Sequence, residues 1–575
     1  MELERYRRYS EMARGIRRAP LVFKNANVFF AHSAEFKKTD VAVADGMILG
    51  TGTYNGEEEI DLEGKYLCPG FIDSHLHLES TLVTPAELIR QAAQCGTTTF
   101  IVDPHESANV SGTEGIDYIL DQTENAPANV YVMMPSCVPA THVDDNGCTL
   151  TAGKMKSYLE HPRILGLGEV MDAVSVIEGG VSVHEKLRLF EDRVRDGHAP
   201  FLNPGNLAAY ALAGISTDHE CVDYEYAMEE CRNGMQVLIR EGSAARNLDA
   251  IVKGIVENHT NTSGFCFCTD DKHIEDIRRD GHINYNVRRA VALGLPVEQA
   301  LRMATLQAAQ CYGLKHLGAI APGCQADLVV LEDLRELRVL EVYHKGKKIQ
   351  KDEPTDIRPC APNLKNTVHL KRFSEKALVL PHKGGPAHVI GMIQGQIITE
   401  DLSEEVPFRE ENGQRVFAPN ETYQKIAAIE RHKYTGKAGV GIVKGFGIRG
   451  GAVASSVSHD SHNLIVIGDN DHDMYLAVRE LLRTQGGYTL AAGGTIVGTL
   501  PLPVMGLISD AGWESVNQTL KELIPKAHAM GIPEGFDPFI TLSFMALPVL
   551  PALRITPRGL YLVNEDRMLA SPFDQ

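Results

Sequence analysis

The sequence predicts an α/β chain in three parts: a (β/α)8 barrel, a small β-sandwich domain built from both of its flanks, and a C-terminal α+β domain. Three observations carry this. Between residues 68 and 318, short apolar runs alternate with longer helical patterns, the signature of βαβ units with a parallel sheet. Short strands with Gly and Asn turns flank that region at 21–67 and again at 319–351. Beyond a Pro-containing linker at 352–362, residues 363–575 mix strand and helix patterns.

In chain order, residues 1–20 are Arg-rich but also carry Glu2, Glu4 and Glu11, and they read as an amphipathic helix leaning on the body. "LVFKNANVFF", "VAVADGMILG" and "EEIDLEGKYLC" then space their apolar residues as strands do. Eight strand candidates follow at 70–74, 98–103, 130–134, 164–168, 197–202, 213–216, 236–239 and 265–268, a number and span that suit a (β/α)8 barrel. "GAIAPGCQADLVVLED" and "VLEVYHKGKKI" return to short strands, so the small β domain takes pieces from before and after the barrel.

Composition limits the class of function. The 575 residues hold 56 Lys and Arg against 75 Asp and Glu, a formal net charge of −19, so the basic excess that nucleic-acid binding needs is missing. No run approaches the roughly 18 apolar residues of a membrane span. The eleven cysteines are scattered without a Cys-x-x-Cys pair, which predicts reduced thiols and a cytoplasmic protein; Cys266 and Cys268 read as strand packing. "GDNDHDM" lacks the Gly and terminal Glu of a calcium loop. The β pieces and the C-terminal domain leave surface for a homodimer.

The strongest local signal is "PGFIDSHLHLES". It sets His75 and His77 two apart at the end of the first barrel strand, so both imidazoles face one side. Barrel folds place their active sites at the C-terminal ends of the strands. Other strand ends add Glu169 in "ILGLGEVMD", His198 in "DGHAPF", His219 in "GISTDHE" and Asp270 in "FCTDDKH". Four imidazoles and two carboxylates on one rim suit two divalent metal ions, among Mn²⁺, Fe²⁺ and Zn²⁺.

These motifs, with "VDPHESANVSG" and "VLIREGSAARN", resemble the bacterial-type adenine deaminase family of the amidohydrolase superfamily. The C-terminal "ASSVSHDSHNLIVIG" and "FDPFITLSFMALPVLP" resemble that family's own extra domain. The turn "PATHVDDNGC" after strand three departs from the family's more aromatic and acidic turn. The resemblance implies a metal-dependent hydrolase acting on a small purine base. Glu169 would bridge the metals, with one held by His75, His77 and Asp270, the other by His198 and His219, and with Mn²⁺ or Fe²⁺ favoured over Zn²⁺. A metal-bridging hydroxide would attack C6 of adenine, Asp270 moving the proton, to give hypoxanthine and ammonia. Glu241, Ser243, Asp271, His105 and Glu106 are candidates for recognising the base, together with His459, Asp460 and His462 of "VSHDSHN". The same ligands would serve hydrolysis of a cyclic amide or N-acyl substrate, and an intact ligand set argues against a non-catalytic scaffold. A zinc deaminase of the Pro-Cys-x-x-Cys type is excluded.

Overall fold

The computed structural model describes residues 1–243, 245–350, 357–393 and 398–574. Residues 352–356 of the expected linker lie outside the described residues.

Five strands before the central region (Ala19–Phe30, Glu35–Ala44, Met47–Gly52, Gly56–Asp61, Tyr66–Pro69) and three after it (Leu328–Leu331, Val339–His344, Lys347–Lys348) join one hydrogen-bonded sheet. The long Ala19–Phe30 strand is shared. Its first half pairs with Gly56–Asp61, its second with Tyr66–Pro69, and a bulge at Phe23/Ala26 bends it between the two. The N-terminal helix Leu3–Ala13 lays Tyr9 and Met12 on Ala19, Val22 and Ala42 of this sheet.

The central region holds eight parallel strands: β1 (Phe71–Leu76), β2 (Thr97–Val102), β3 (Asn129–Met134), β4 (Ile164–Val170), β5 (Val194–Gly197), β6 (Thr217–Asp218), β7 (Gln236–Arg240) and β8 (Phe265–Cys268). Strands β1 to β5 form one sheet and β6 to β8 another, each in sequence order. The sheets curl toward each other. Asp270, just past β8, donates to the His75 carbonyl at 3.0 Å and accepts from the His77 N–H at 3.3 Å, while Ser216 N–H donates to Arg195 O at 3.0 Å. Strands β1, β2 and β8 are buried at every residue, as parallel strands covered on both faces must be. Two intervening helices start where the sequence supplies a cap: Asn203 accepts from Asn206 N–H ahead of Pro204, and Asp223 from Tyr226 N–H.

Two strand expectations are corrected. The fifth strand is not 197–202 but Val194–Gly197; the "HAPF" stretch beyond it belongs to the rim loop, where Pro200 has no amide to donate. The sixth is not 213–216 but the two-residue Thr217–Asp218, because helix Pro204–Leu212 runs into a turn at Gly214 with φ +86°.

The C-terminal part is built on a second eight-stranded sheet that runs from Thr399–Glu404 at one edge to Thr495–Pro501 at the other, with helix Asp471–Thr484 packed on it. It is seated on the strand ends. One apolar cluster contains Leu82 and Val83 of the central region together with Met505, Leu507, Ile508 and Phe539. Ser509 N–H donates to Leu82 O, and the Arg278 guanidinium lies 3.8 Å over the Trp513 ring. Among the described residues no helix is long and apolar enough to cross a membrane, and all eleven cysteines are free thiols.

Candidate active site at the strand ends

The ends of β1, β4, β5, β6 and β8 bring His75, His77, Glu169, His198, His219 and Asp270 into one buried cluster. The two oxygens of Glu169 are divided between two groups. Its Oε1 lies 3.0 Å from His75 Nε2 and 2.8 Å from His77 Nε2. Its Oε2 lies 3.1 Å from His198 Nδ1 and 3.7 Å from His219 Nε2. Asp270 joins the first group, with Oδ1 3.1 Å from His77 Nε2 and 3.6 Å from His75 Nε2. The His75 and His219 rings stack at 4.2 Å, which holds the two groups side by side.

Surrounding contacts set the orientation of these donors. His77 Nδ1 donates to the Asp103 carbonyl at 2.9 Å, so its Nε2 presents a lone pair. That lone pair is 3.2 Å from His75 Nε2. Asp103 also accepts the Glu169 N–H at 2.8 Å, and the Ser136 hydroxyl donates to the Glu169 carbonyl. Tyr210 accepts the His198 N–H at 3.0 Å and donates to Val170 O at 2.6 Å. Supports of this kind are what a metal site requires behind its ligands.

Burial opposes charging His75, yet the Glu169 and Asp270 carboxylates outweigh it and raise the imidazole to about 10. His198 is likewise buried but lifted to about 9 by Glu220 and Glu169. Burial works against the Glu169 and Asp270 anions as well; imidazoles around Glu169, and Arg240 beside Asp270, hold both well below the usual carboxylate range. The cluster is thus an anionic field that draws positive charge to its imidazoles, protons or metal cations alike. Such a nitrogen and oxygen donor set fits hard-to-borderline divalent cations.

Above it lies a pocket lined by His105, Glu106, Asp271, His459 and Asp460, with Met171, Phe544, Leu547 and Leu550 as its apolar wall. His105 Nε2 is 3.7 Å from Asp460 Oδ1, and His459 Nδ1 is 3.1 Å from Glu106 Oε1. The Ser80 hydroxyl donates to Asp271. His462 stands beside Glu106 and His459 without lining the pocket; its Nδ1 accepts the Ser458 N–H at 3.2 Å. Glu241 and Ser243 are not brought to the pocket. The Glu241 carboxyl, raised by burial, takes the field of Lys272 and Arg246, and Ser243 donates to Asp276 while accepting the His273 N–H at 2.9 Å. Sequence reasoning missed Arg240 and Glu220. Both line the pocket, each next to a residue already at a strand end, and that position was the available signal.

Residues 66–349 match the model of the amidohydrolase family, and residues 396–567 match that of the adenine deaminase C-terminal domain. The amidohydrolase match implies divalent metal ions, in agreement with the donor set. An adenine deaminase of Desulfitobacterium hafniense (strain Y51) is 57% identical over 555 residues, covering 96% of this chain and 97% of the relative. "Adenine deaminase 2" of Carboxydothermus hydrogenoformans is 44% identical over 96% of each chain. A crystal structure described as an adenine deaminase matches 57% of this chain and 99% of its own, at 15% identity and a TM-score of 0.45. On the strength of the near full-length relatives and the two matched domain models, this chain belongs to the adenine deaminase family of amidohydrolases.

Proposed function

We infer that the chain hydrolyses adenine to hypoxanthine and ammonia at the strand-end cluster, with the eight parallel strands acting as a (β/α)8 barrel. The near full-length relatives support the substrate, and the observation that carries the site is the division of the two Glu169 oxygens. His75, His77 and Asp270 would hold one divalent ion, His198 and His219 the other, and Glu169 would bridge them; Mn²⁺ and Fe²⁺ are favoured over Zn²⁺. Such a pair supplies a nucleophile near neutral pH by lowering the pKa of a shared water.

The remaining work falls to the chain. Asp270 faces the ligand nitrogens through Oδ1 and is placed to take the water's proton and return it to a ring nitrogen or the departing amine. The flat, neutral base would lie against the apolar wall of Met171, Phe544, Leu547 and Leu550, with His105, Glu106, Asp271, His459 and Asp460 offering the hydrogen bonds. Buried polar groups left unpaired by a wrong base would reject it strongly.

The test is ammonia release by metal-reconstituted protein from adenine, beside adenosine and a set of cyclic amides. Turnover of adenine alone is expected; activity on an amide with silence on adenine would overturn the substrate. Asp270→Asn should keep most of the metal and lose roughly 10²–10⁴-fold in kcat, the worth of a placed proton-transfer group. An active Asn variant would remove Asp270 from that role.

A further inference from the structure

Arg240 ends β7 on the same rim as the ligand cluster and is 4% exposed. Its guanidinium reaches two carboxylates at once. Nη1 donates to Asp270 Oδ2 at 2.9 Å and also to Glu220 Oε1, while Nη2 donates to Glu220 Oε2 at 3.1 Å. Both oxygens of Glu220 are therefore taken by the fork, but only one of Asp270, whose Oδ1 stays turned to His77 and His75.

Glu220 is otherwise placed as a ligand would be. Its Oε1 lies 3.7 Å from His198 Nδ1 and 3.6 Å from His219 Nε2, the two nitrogens that face Glu169 Oε2. Two buried carboxylates thus border the cluster, one from each half, and they differ in whether an oxygen is left over. Asp270 also has a backbone in the left-handed region, φ +57°, which aspartate tolerates better than most residues. The hydrogen bonds to His75 and His77 hold that backbone, and Arg240 holds the side chain.

We propose that Arg240 selects the ligand set: it withholds Glu220 from the cation between His198 and His219, and leaves Asp270 one oxygen for the cation between His75 and His77. This rests on the binuclear reading given above and adds a positioning residue to it. Arg240 acts through the two carboxylates and not on the base. A planar fork with several fixed donors can hold three oxygens of two carboxylates together, whereas a lysine is a point charge on a flexible stem.

Cobalt(II) is the probe, because its visible spectrum reports coordination number. In R240K, Glu220 is expected to join the metal centre, shifting the spectrum toward higher coordination; kcat on adenine should fall about 10- to 100-fold, as when ligand-orienting partners are lost, with KM within about threefold. The double variant R240K/E220Q should regain the wild-type spectrum. E220Q alone, which leaves the arginine in place, should also keep that spectrum, and it serves if R240K does not fold. An unchanged spectrum in R240K, no recovery in the double variant, or a changed spectrum in E220Q would each overturn the proposal alone. A wild-type protein that binds no cobalt pair would overturn the binuclear reading and this proposal with it.

Discussion

His459 donates through Nδ1 to Glu106 at 3.1 Å, and its ring stacks at 4.8 Å on Phe544, so one imidazole ties the C-terminal part to the strand-end loops. Burial opposes its charge, but the Glu106 hydrogen bond raises it to about 9. An unfolded histidine titrates near ~6.5. The stabilisation is therefore complete below that value and is lost as pH rises through the folded value. His459→Gln should then lower the melting temperature most near pH 6, and the gap to wild type should narrow by about pH 10. A gap that is constant or widens with pH would show that the pair is not ionised in the folded state. Residues of this kind were legible from their density in "VSHDSHN" and from likeness to a family. Arg240 and Glu220 were not, because twenty positions separate them and each reads alone as an ordinary charged residue beside a stronger signal.

Strand β4 shows how an element can be shaped for one neighbour. A Cβ built on Gly168 would lie 2.2 Å from Asp103 Oδ2, the oxygen that accepts the Glu169 N–H. The glycine thus lets a carboxylate approach the backbone and fix the residue that both halves of the cluster share. Gly168→Ala should displace Asp103, weaken metal retention by about 10- to 100-fold and lower kcat with it, measured by metal content after dialysis beside turnover. Full metal content with normal turnover would remove Asp103 from that supporting role. Most of the parallel strands were legible because they centre on short apolar runs between turn signals, Phe-Ile-Val in β2 and Phe-Cys-Phe-Cys in β8. Strands β5 and β6 were misplaced for a physical reason: β5 is Val-Arg-Asp-Gly and β6 only Thr-Asp, so neither offers an apolar run, and both are defined by hydrogen bonds to distant neighbours.

At the scale of the whole molecule, the loop after β3 is latched to the C-terminal part. Asp145 pairs with Lys437 at 2.9 Å and Arg558 at 2.9 Å, and its carbonyl accepts from Asn463 at 2.9 Å. The two cations are more than a third exposed, so each pair is worth at most about 1 kcal/mol and is screened by salt. Asp145→Ala should raise the adenine KM roughly 3- to 10-fold with little change in metal content, and the effect should shrink at high salt. An unchanged KM at low salt would show that the latch does not govern the pocket wall. The apolar wall itself was foreshadowed by "FDPFITLSFMALPVLP", but the sequence does not state where that segment lands; the shared apolar core, through Phe539, Leu542 and Met545, and the His459–Phe544 stack seat it over the strand ends.

That placement couples the reaction to the order of synthesis. The ligand cluster is complete in sequence once Asp270 has been made, while Phe544, Leu547 and Leu550 follow only after most of the C-terminal part. A growing chain can therefore assemble its metal-ligand residues well before it owns a slot for the base, and competence has to wait for the segment that carries that wall.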